Sequence, residues 1–403
     1  MAFSKGDFPI FKNHPELVFL DSTSTTQKPQ YVIDGMSDFF SHSYANIHRG
    51  LYDIAQESER LYFESKKKFA QFIGRDDYKE IIYTANANYA INLIAQTLRY
   101  NGFFKKDKVL LSVAEHHANI VPWQILQQEI GIELVFFGLD ENGELDFQDF
   151  KQKYTSDVKM IALSHVSNVT GQIFSVDCIG RWKRDDTLFL VDASQSIAHI
   201  PVKTDEICCD FLVCTAHKLF ADTGLGIIWA KKLLLTLKPV FSGGGAILSV
   251  KESGFEPAGL PYTFEPGTPH ISGAVSLLKA LEYIEQNGGI DGIETQEKPL
   301  VEYACEQFDN RRKYLNLLGE YSHTKRVGVF SFTIDDVHSY DIADTLAEHH
   351  ICVRAGKHCA EPLSEYFGVN HSVRMSLGVY NTKEDIDAFF KVLDDNFLPA
   401  DRS

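Results

Sequence analysis

Short apolar runs alternate with longer amphipathic ones through the middle of the chain. Lys79–Thr84 reads as a strand, Ala90–Tyr100 as a helix and Asp107–Ser112 as a second strand. Asn119–Glu129 is helical in pattern and Ile132–Phe137 extended. Val158–Leu163, Leu188–Val191, Asp210–Cys214 and Gly226–Trp229 continue the extended series. These runs are short, rich in β-branched residues and apolar on both faces. Parallel strands covered on both sides by crossover helices have this pattern. A mixed, mostly parallel sheet is therefore expected between roughly residues 60 and 260.

The texture then changes. Gly243-Gly244-Gly245 and Pro257–Pro269 are rich in glycine or proline and read as irregular, and Ile271–Ile284 is strongly helical. Beyond the Gly288-Gly289 break, Gln296–Asn310, Asp341–His349 and Lys383–Leu393 look helical, while Gly328–Thr333 and Arg374–Leu377 look extended. This is α+β in character and predicts a second, smaller domain.

Length and charge narrow the function. The chain has 403 residues, enough for about two to three domains. A net charge of -16 repels nucleic acid unless a basic patch is present. The only candidates, Lys66-Lys67-Lys68 and Lys105-Lys106, are short and read as solvated helix faces. No nucleic-acid partner is expected. Met1–Phe11 lacks an apolar core, so no signal peptide is read there. The apolar runs are too short to span a bilayer, and no membrane partner is expected. Seven cysteines, none in C-x-x-C spacing, fit a reducing, cytoplasmic compartment without structural zinc.

Ligands of open parallel sheets bind beyond the carboxyl ends of the strands. Asp192 directly follows one apolar run, and His217 and Lys218 follow the next after Thr215-Ala216. His116 and His117 follow a third, and Asn168 a fourth. Pyridoxal phosphate requires a lysine, an acidic partner for its ring nitrogen, a flat group over the ring and small polar donors for its phosphate. Lys218, Asp192, His116, Asn88, Thr215 and His217 can supply these roles. A dinucleotide would need a glycine fingerprint after the first strand, and that junction reads Ala85-Asn86-Ala87-Asn88. A metal site at Glu115, His116 and His117 is disfavoured, because adjacent residues of a strand point to opposite faces.

Several motifs now stand together: Ala45–Gly50 (ANIHRG), Glu115–Trp123 (EHHANIVPW), His165–Asn168 (HVSN), Gly267–Pro269 (GTP), Arg354–Pro362 (RAGKHCAEP) and Arg374–Asn381 (RMSLGVYN). From about Val18 to Leu393 the chain resembles the cysteine desulfurases of the SufS/CsdA type, in the class V aminotransferase group. The resemblance implies pyridoxal-phosphate fold type I. Its large domain (21–285) has a mostly parallel seven-stranded sheet between helices. A smaller α+β C-terminal domain (286–403) carries the cysteine loop, and an N-terminal arm (1–20) packs with it. It implies pyridoxal 5'-phosphate as cofactor, with Lys218 as the Schiff-base lysine, Asp192 at the pyridine nitrogen and His116 stacked on the ring. Gln195 and Asn168 would contact the phenolic oxygen side. Thr215, His217, Asn88 and Ala87 would hold the phosphate, and Thr268 would reach the phosphate of the neighbouring subunit in a homodimer. Arg374 would grip the carboxylate of L-cysteine, and Arg354, His358 and His48 would line the pocket. Cys359 would take the sulfur as a persulfide, with Arg354, Lys357 and His358 supplying positive charge beside it. A sulfur-acceptor protein of the SufE or SufU kind, serving iron–sulfur cluster assembly, is implied as partner.

Two segments depart from the family pattern. Asp21-Ser22-Thr23-Ser24 stands for Asp-Asn-Ala-Ala, and Asn86-Ala87-Asn88-Tyr89 for Gly-Thr-Thr-Glu. Asn86 raises the question of a left-handed backbone that glycine adopts more freely. Asp222, near the phosphate region, is expected to point away from it. The departures leave open a selenocysteine lyase acting on L-selenocysteine, another β-eliminating enzyme of the fold, or a degenerate non-catalytic paralogue.

Overall fold

Seven apolar runs meet in one sheet. They are β1 (Ile81–Thr84), β2 (Lys108–Ser112), β3 (Glu133–Phe137), β4 (Val158–Ser164), β5 (Leu188–Asp192), β6 (Phe211–Thr215) and β7 (Gly226–Ala230). The computed structural model describes residues 3–232, 234–320 and 322–398. Across the sheet the order is β1-β7-β6-β5-β4-β2-β3. Only β7 is antiparallel to its neighbours, so the sheet is mostly parallel as expected. Register pairs Ser164 with Asp192, and Gly226 with both Thr84 and Thr215. The carboxyl ends of β1, β4, β5 and β6 thus gather at one edge, where the reversed β7 begins.

Local chemistry shifts the expected boundaries. The first strand starts at Ile81, because Asp77 accepts the Lys79 N–H at 3.0 Å and winds Tyr78–Glu80 into a 3-10 turn. The following helix starts at Ala87, where the Asn86 side chain accepts the Tyr89 N–H at 2.8 Å and caps it. Asn86 itself has φ -172, extended backbone open to any residue, so the position does not call for glycine.

Helices Gln30–His42 and Asp53–Phe72 both pack on Ile271–Gln286, and the three share one apolar core with the sheet. The first two are absent from the expected elements. The helix Asp53–Phe72 also corrects the reading of Lys66-Lys67-Lys68. Lys66 is 0% exposed on the same face as Tyr62, Ser65 and Phe69. Its ammonium donates to the Ile81 carbonyl at 2.9 Å and to Glu265. Buried without partners, such a charge would be strongly destabilising. An exposed hairpin, Ile247–Lys251 with Gly254–Pro257, emerges from the glycine-rich stretch.

The smaller domain holds an antiparallel sheet of β8 (Leu315–Leu317), β9 (Val329–Ile334), β10 (Arg354–Gly356) and β11 (Ser372–Ser376), in the order β8-β9-β11-β10. Phe308, Phe330, Phe332, Phe389 and Phe390 form the centre of its core. The arm touches both domains. Phe8 and Phe11 pack against Tyr380 in the larger core, while Val18–Phe19 runs parallel to Ile351–Cys352. Among the described residues, no helix is long and apolar enough to cross a membrane.

Candidate active site

The carboxyl edge of the large sheet forms the floor of a cleft of about 380 Å³, and the smaller domain forms its rim. Asp192, Thr215 and Asn168 line it from β5, β6 and the loop after β4, with Gln195, His217 and Lys218 just beyond the strands. Ala87 and Asn88 enter from the start of the helix that Asn86 caps, and His116 from the turn after β2. Arg354, His358, Cys359 and Arg374 complete it from the smaller domain. The helix start and β7 are in close contact. A Cβ on Gly226 would lie 2.2 Å from the Asn86 carbonyl carbon, so only glycine lets the turn sit there.

Burial sets the electrostatics of the floor. Asp192 is buried and its Oδ1 accepts the Ser194 N–H at 2.9 Å. The Lys218 amine is pushed down to about 8, first by burial and further by Arg374, against the opposing pull of Asp192, Cys359 and Asp21. It therefore carries a neutral fraction near neutral pH that an exposed lysine lacks. Burial, followed by the Lys218 cation, also holds His116 well below the ordinary imidazole range. Its Nδ1 accepts the Ala118 N–H at 3.0 Å, which fixes the ring. His217 is lowered to about 4, by burial and then by Lys218 and Lys28.

Five polar atoms of the cleft residues have no partner: Thr23 Oγ1, Ser194 Oγ, His217 Nδ1, His358 Nδ1 and Arg374 Nε. Buried orphans of this kind mark a place for a polar ligand. Together with the amine, the carboxylate, the flat neutral ring and the helix start, they fit pyridoxal phosphate.

The rim is built differently. After β10 the chain turns sharply through Lys357–Ala360, with His358 at φ 53 and Cys359 at φ 55. Cys359 is exposed. His358 is buried, bonded to Ser372 Oγ at 3.0 Å, and lowered to about 3, by burial first and then by Arg374. It is therefore neutral, which corrects the expectation that it adds positive charge beside the thiol; Arg354 and Arg374 remain as cations. Arg374 is buried, donating to the Asn168 carbonyl at 3.0 Å and to Ser24 Oγ at 2.8 Å, with Asp21 3.5 Å away. Its Nε has no partner. The Asn168 amide donates to the His358 carbonyl at 2.7 Å and so joins floor to rim.

Two expected residues, His48 and Thr268, do not line this cleft. They lie near each other: a Cβ on Gly245 would sit 3.3 Å from the Gly267 carbonyl and 3.8 Å from His48 Nε2, an atom without a partner. Thr268 lines a separate cavity with Tyr89 and Phe241. Asp222 is not among the cleft residues; its carboxylate accepts the Thr223 N–H at 2.7 Å.

Other residues enter without having been singled out as site residues. Asp21 pairs with Arg354 at 3.0 Å as well as with Arg374. Ser164 lines the cleft and donates to Glu115 at 2.8 Å. Glu115 is raised to about 7 by burial, against hydrogen bonds from Ser112, Asn119 and Ser164. Glu115 and the two histidines occupy a turn rather than a strand, and the described residues contain no group of side chains able to hold a metal ion.

A lysine, carboxylate and imidazole on this floor, facing a thiol on the rim, define a pyridoxal-phosphate enzyme of fold type I. The family described as aminotransferase class-V matches residues 18–389, and the chain belongs to that family. A protein named probable cysteine desulfurase from Pyrococcus abyssi is 36% identical over 393 residues, covering 96% of each chain. The apo structure of a cysteine desulfurase from Thermococcus onnurineus superposes with a TM-score of 0.92 at 34% identity, over 98% of this chain and 99% of that one. The Escherichia coli cysteine desulfurase CsdA, in an S-sulfonic acid form, gives a TM-score of 0.89 at 30% identity over 98% of each chain.

Proposed function

We propose that the protein is a pyridoxal-phosphate-dependent cysteine desulfurase. It converts L-cysteine to L-alanine and takes the sulfur as a persulfide on Cys359. The observation that carries this reading is the meeting of Lys218, Asp192 and His116 with the Cys359 thiol at one cleft. Bound there, the cofactor supplies an electron sink that stabilises negative charge at the substrate's α-carbon. Asp192 would hold the proton of the ring nitrogen, His116 would lie against the ring, and Gln195 and Asn168 would hold the phenolic oxygen side. Thr215, His217, Ala87 and Asn88 would hold the phosphate.

Arg374 receives the substrate carboxylate through its unpartnered Nε, with Arg354 and His358 beside it. The Lys218 amine would move the α-proton, a task its lowered proton affinity suits. The Cys359 thiolate bonds to the substrate sulfur as the Cβ–S bond breaks; the electron pair stays on carbon and protonation yields alanine. The sulfur then passes to an acceptor of the SufE or SufU kind for iron–sulfur cluster assembly. Thr268, with His48 near it, would serve the cleft of a second copy in a homodimer.

The test incubates cofactor-loaded protein with L-cysteine and reductant, alongside Lys218→Ala and Cys359→Ser. Alanine lost in both variants is expected. Pyruvate in place of alanine would overturn the reading in favour of β-elimination, and absence of product from loaded protein would overturn it outright.

A further inference from the structure

His117 belongs to the EHHANIVPW motif but does not line the cleft, and the chemistry above leaves it without a task. Its position gives it one. The His117 N–H donates to the Cys359 carbonyl at 2.8 Å. Its ring Nε2 accepts the Glu361 N–H at 3.2 Å and also meets the Glu361 carboxylate. One nitrogen cannot do both at once: neutral, it accepts the N–H; protonated, it donates to the carboxylate. In either state the ring holds residue 361, the first of the helix Glu361–Tyr366. His117 therefore grips the chain at the nucleophile and again two residues beyond it. Before the nucleophile, Asn168 holds the His358 carbonyl.

The segment between these grips is strained. His358 and Cys359 are consecutive non-glycine residues in the left-handed region, a conformation that persists only where surrounding contacts impose it. The Cys359 side chain is itself exposed, so little packing restrains it. We infer that His117 is a positioning residue for the sulfur-accepting thiol, its ring latching the Cys359 turn against the large domain while sulfur is taken. The latch sits beside the cofactor floor, the His117 and His116 ring centroids being 6.1 Å apart, but does not line the cleft, and it is partly exposed, with side-chain exposures of 35% at His117 and 43% at Glu361. It can open to present the loaded sulfur without disturbing the floor. This role rests on the reading of Cys359 as sulfur acceptor.

The test uses the holoenzyme and two readouts: single-turnover persulfide formation on Cys359 with L-cysteine, and alkylation of Cys359 by iodoacetamide without substrate, both followed by peptide mass. His117→Ala keeps the main-chain bond and removes only the ring. It is expected to slow persulfide formation about tenfold, the effect of one lost polar contact, and to raise alkylation several-fold, with the cofactor absorbance and its pH titration unchanged. His117→Gln, whose amide oxygen can accept the Glu361 N–H, is expected to restore most of both rates. Wild-type values for both rates in His117→Ala would overturn the inference. So would an altered cofactor titration with no rescue by glutamine, which would place the ring's effect on the floor. If His117→Ala fails to fold, His117→Phe, which keeps a ring but no nitrogen to accept the Glu361 N–H, decides: faster alkylation with slower persulfide formation supports the latch, and wild-type values overturn it. If the wild-type protein forms no persulfide on Cys359, the proposed function fails, while the alkylation rates still decide whether His117 holds the turn.

Discussion

On the floor of the cleft, Asp192 and Thr215 end neighbouring strands and are buried, and the His116 ring is locked by its own turn. On the rim, Cys359 is exposed, lies in a left-handed backbone and is held by contacts that cross from the other domain. The floor's chemistry comes from desolvation, which lowers Lys218, His116 and His217 together. The rim's chemistry comes from placement, with a neutral His358 and an arginine pair beside an accessible thiol. A cofactor needs fixed partners in low dielectric, whereas a group that must receive sulfur and then give it away needs a hinge.

Breaking the floor alone should have the largest effect. Asp192→Asn removes the charge at the ring nitrogen and is expected to cut alanine formation by about 10³ while leaving Cys359 alkylation unchanged. The pH dependence comes next. Because the Lys218 amine loses its proton as pH rises through about 8, attachment of pyridoxal phosphate to the apo-protein should accelerate with pH. Stopped-flow absorbance should show a rise of roughly fiftyfold between about pH 6 and about pH 8, levelling above, as the neutral fraction does. A profile still climbing steeply beyond that would mean the lysine is not desolvated. Gly226→Ala forces a Cβ into the Asn86 carbonyl and is expected to cost about 3 kcal/mol in denaturant unfolding, again on the floor side only. The smallest effect probes the join. Ser24 accepts from Arg374 and donates to Asp21 at 2.6 Å, so Ser24→Ala should raise KM for L-cysteine by about five- to tenfold with kcat little changed.

The floor was largely legible from the sequence, because strand ends can be read from apolar runs and the residues just past them are few. Asp192, Lys218, His116 and Asn168 follow from that rule. The rim was legible as a motif but not as a conformation: nothing in RAGKHCAEP announces two left-handed residues or a neutral His358. Ser24 was noticed as a departure from pattern and Asp21 as the residue that keeps it, yet their pairing with Arg374 spans about 350 residues and leaves no local trace. Lys66 misled because composition groups it with two solvated lysines, while the helical spacing of Tyr62, Phe69 and Ile73 places it inward. His48 and Thr268 are brought near each other but away from the cleft, which spacing along the chain does not reveal.

The arm that joins both domains has a consequence for biosynthesis. Lys5 bonds Asp385 at 2.7 Å, Val18 pairs with Ile351, and the Leu20 carbonyl accepts the Ser376 N–H at 2.7 Å. The segment thus finds its partners only after roughly 330 or more further residues have been translated. Closing so long a loop makes its docking a late event, and until then the apolar side chains of Phe8 and Phe11 stay exposed, where a chaperone can shield them.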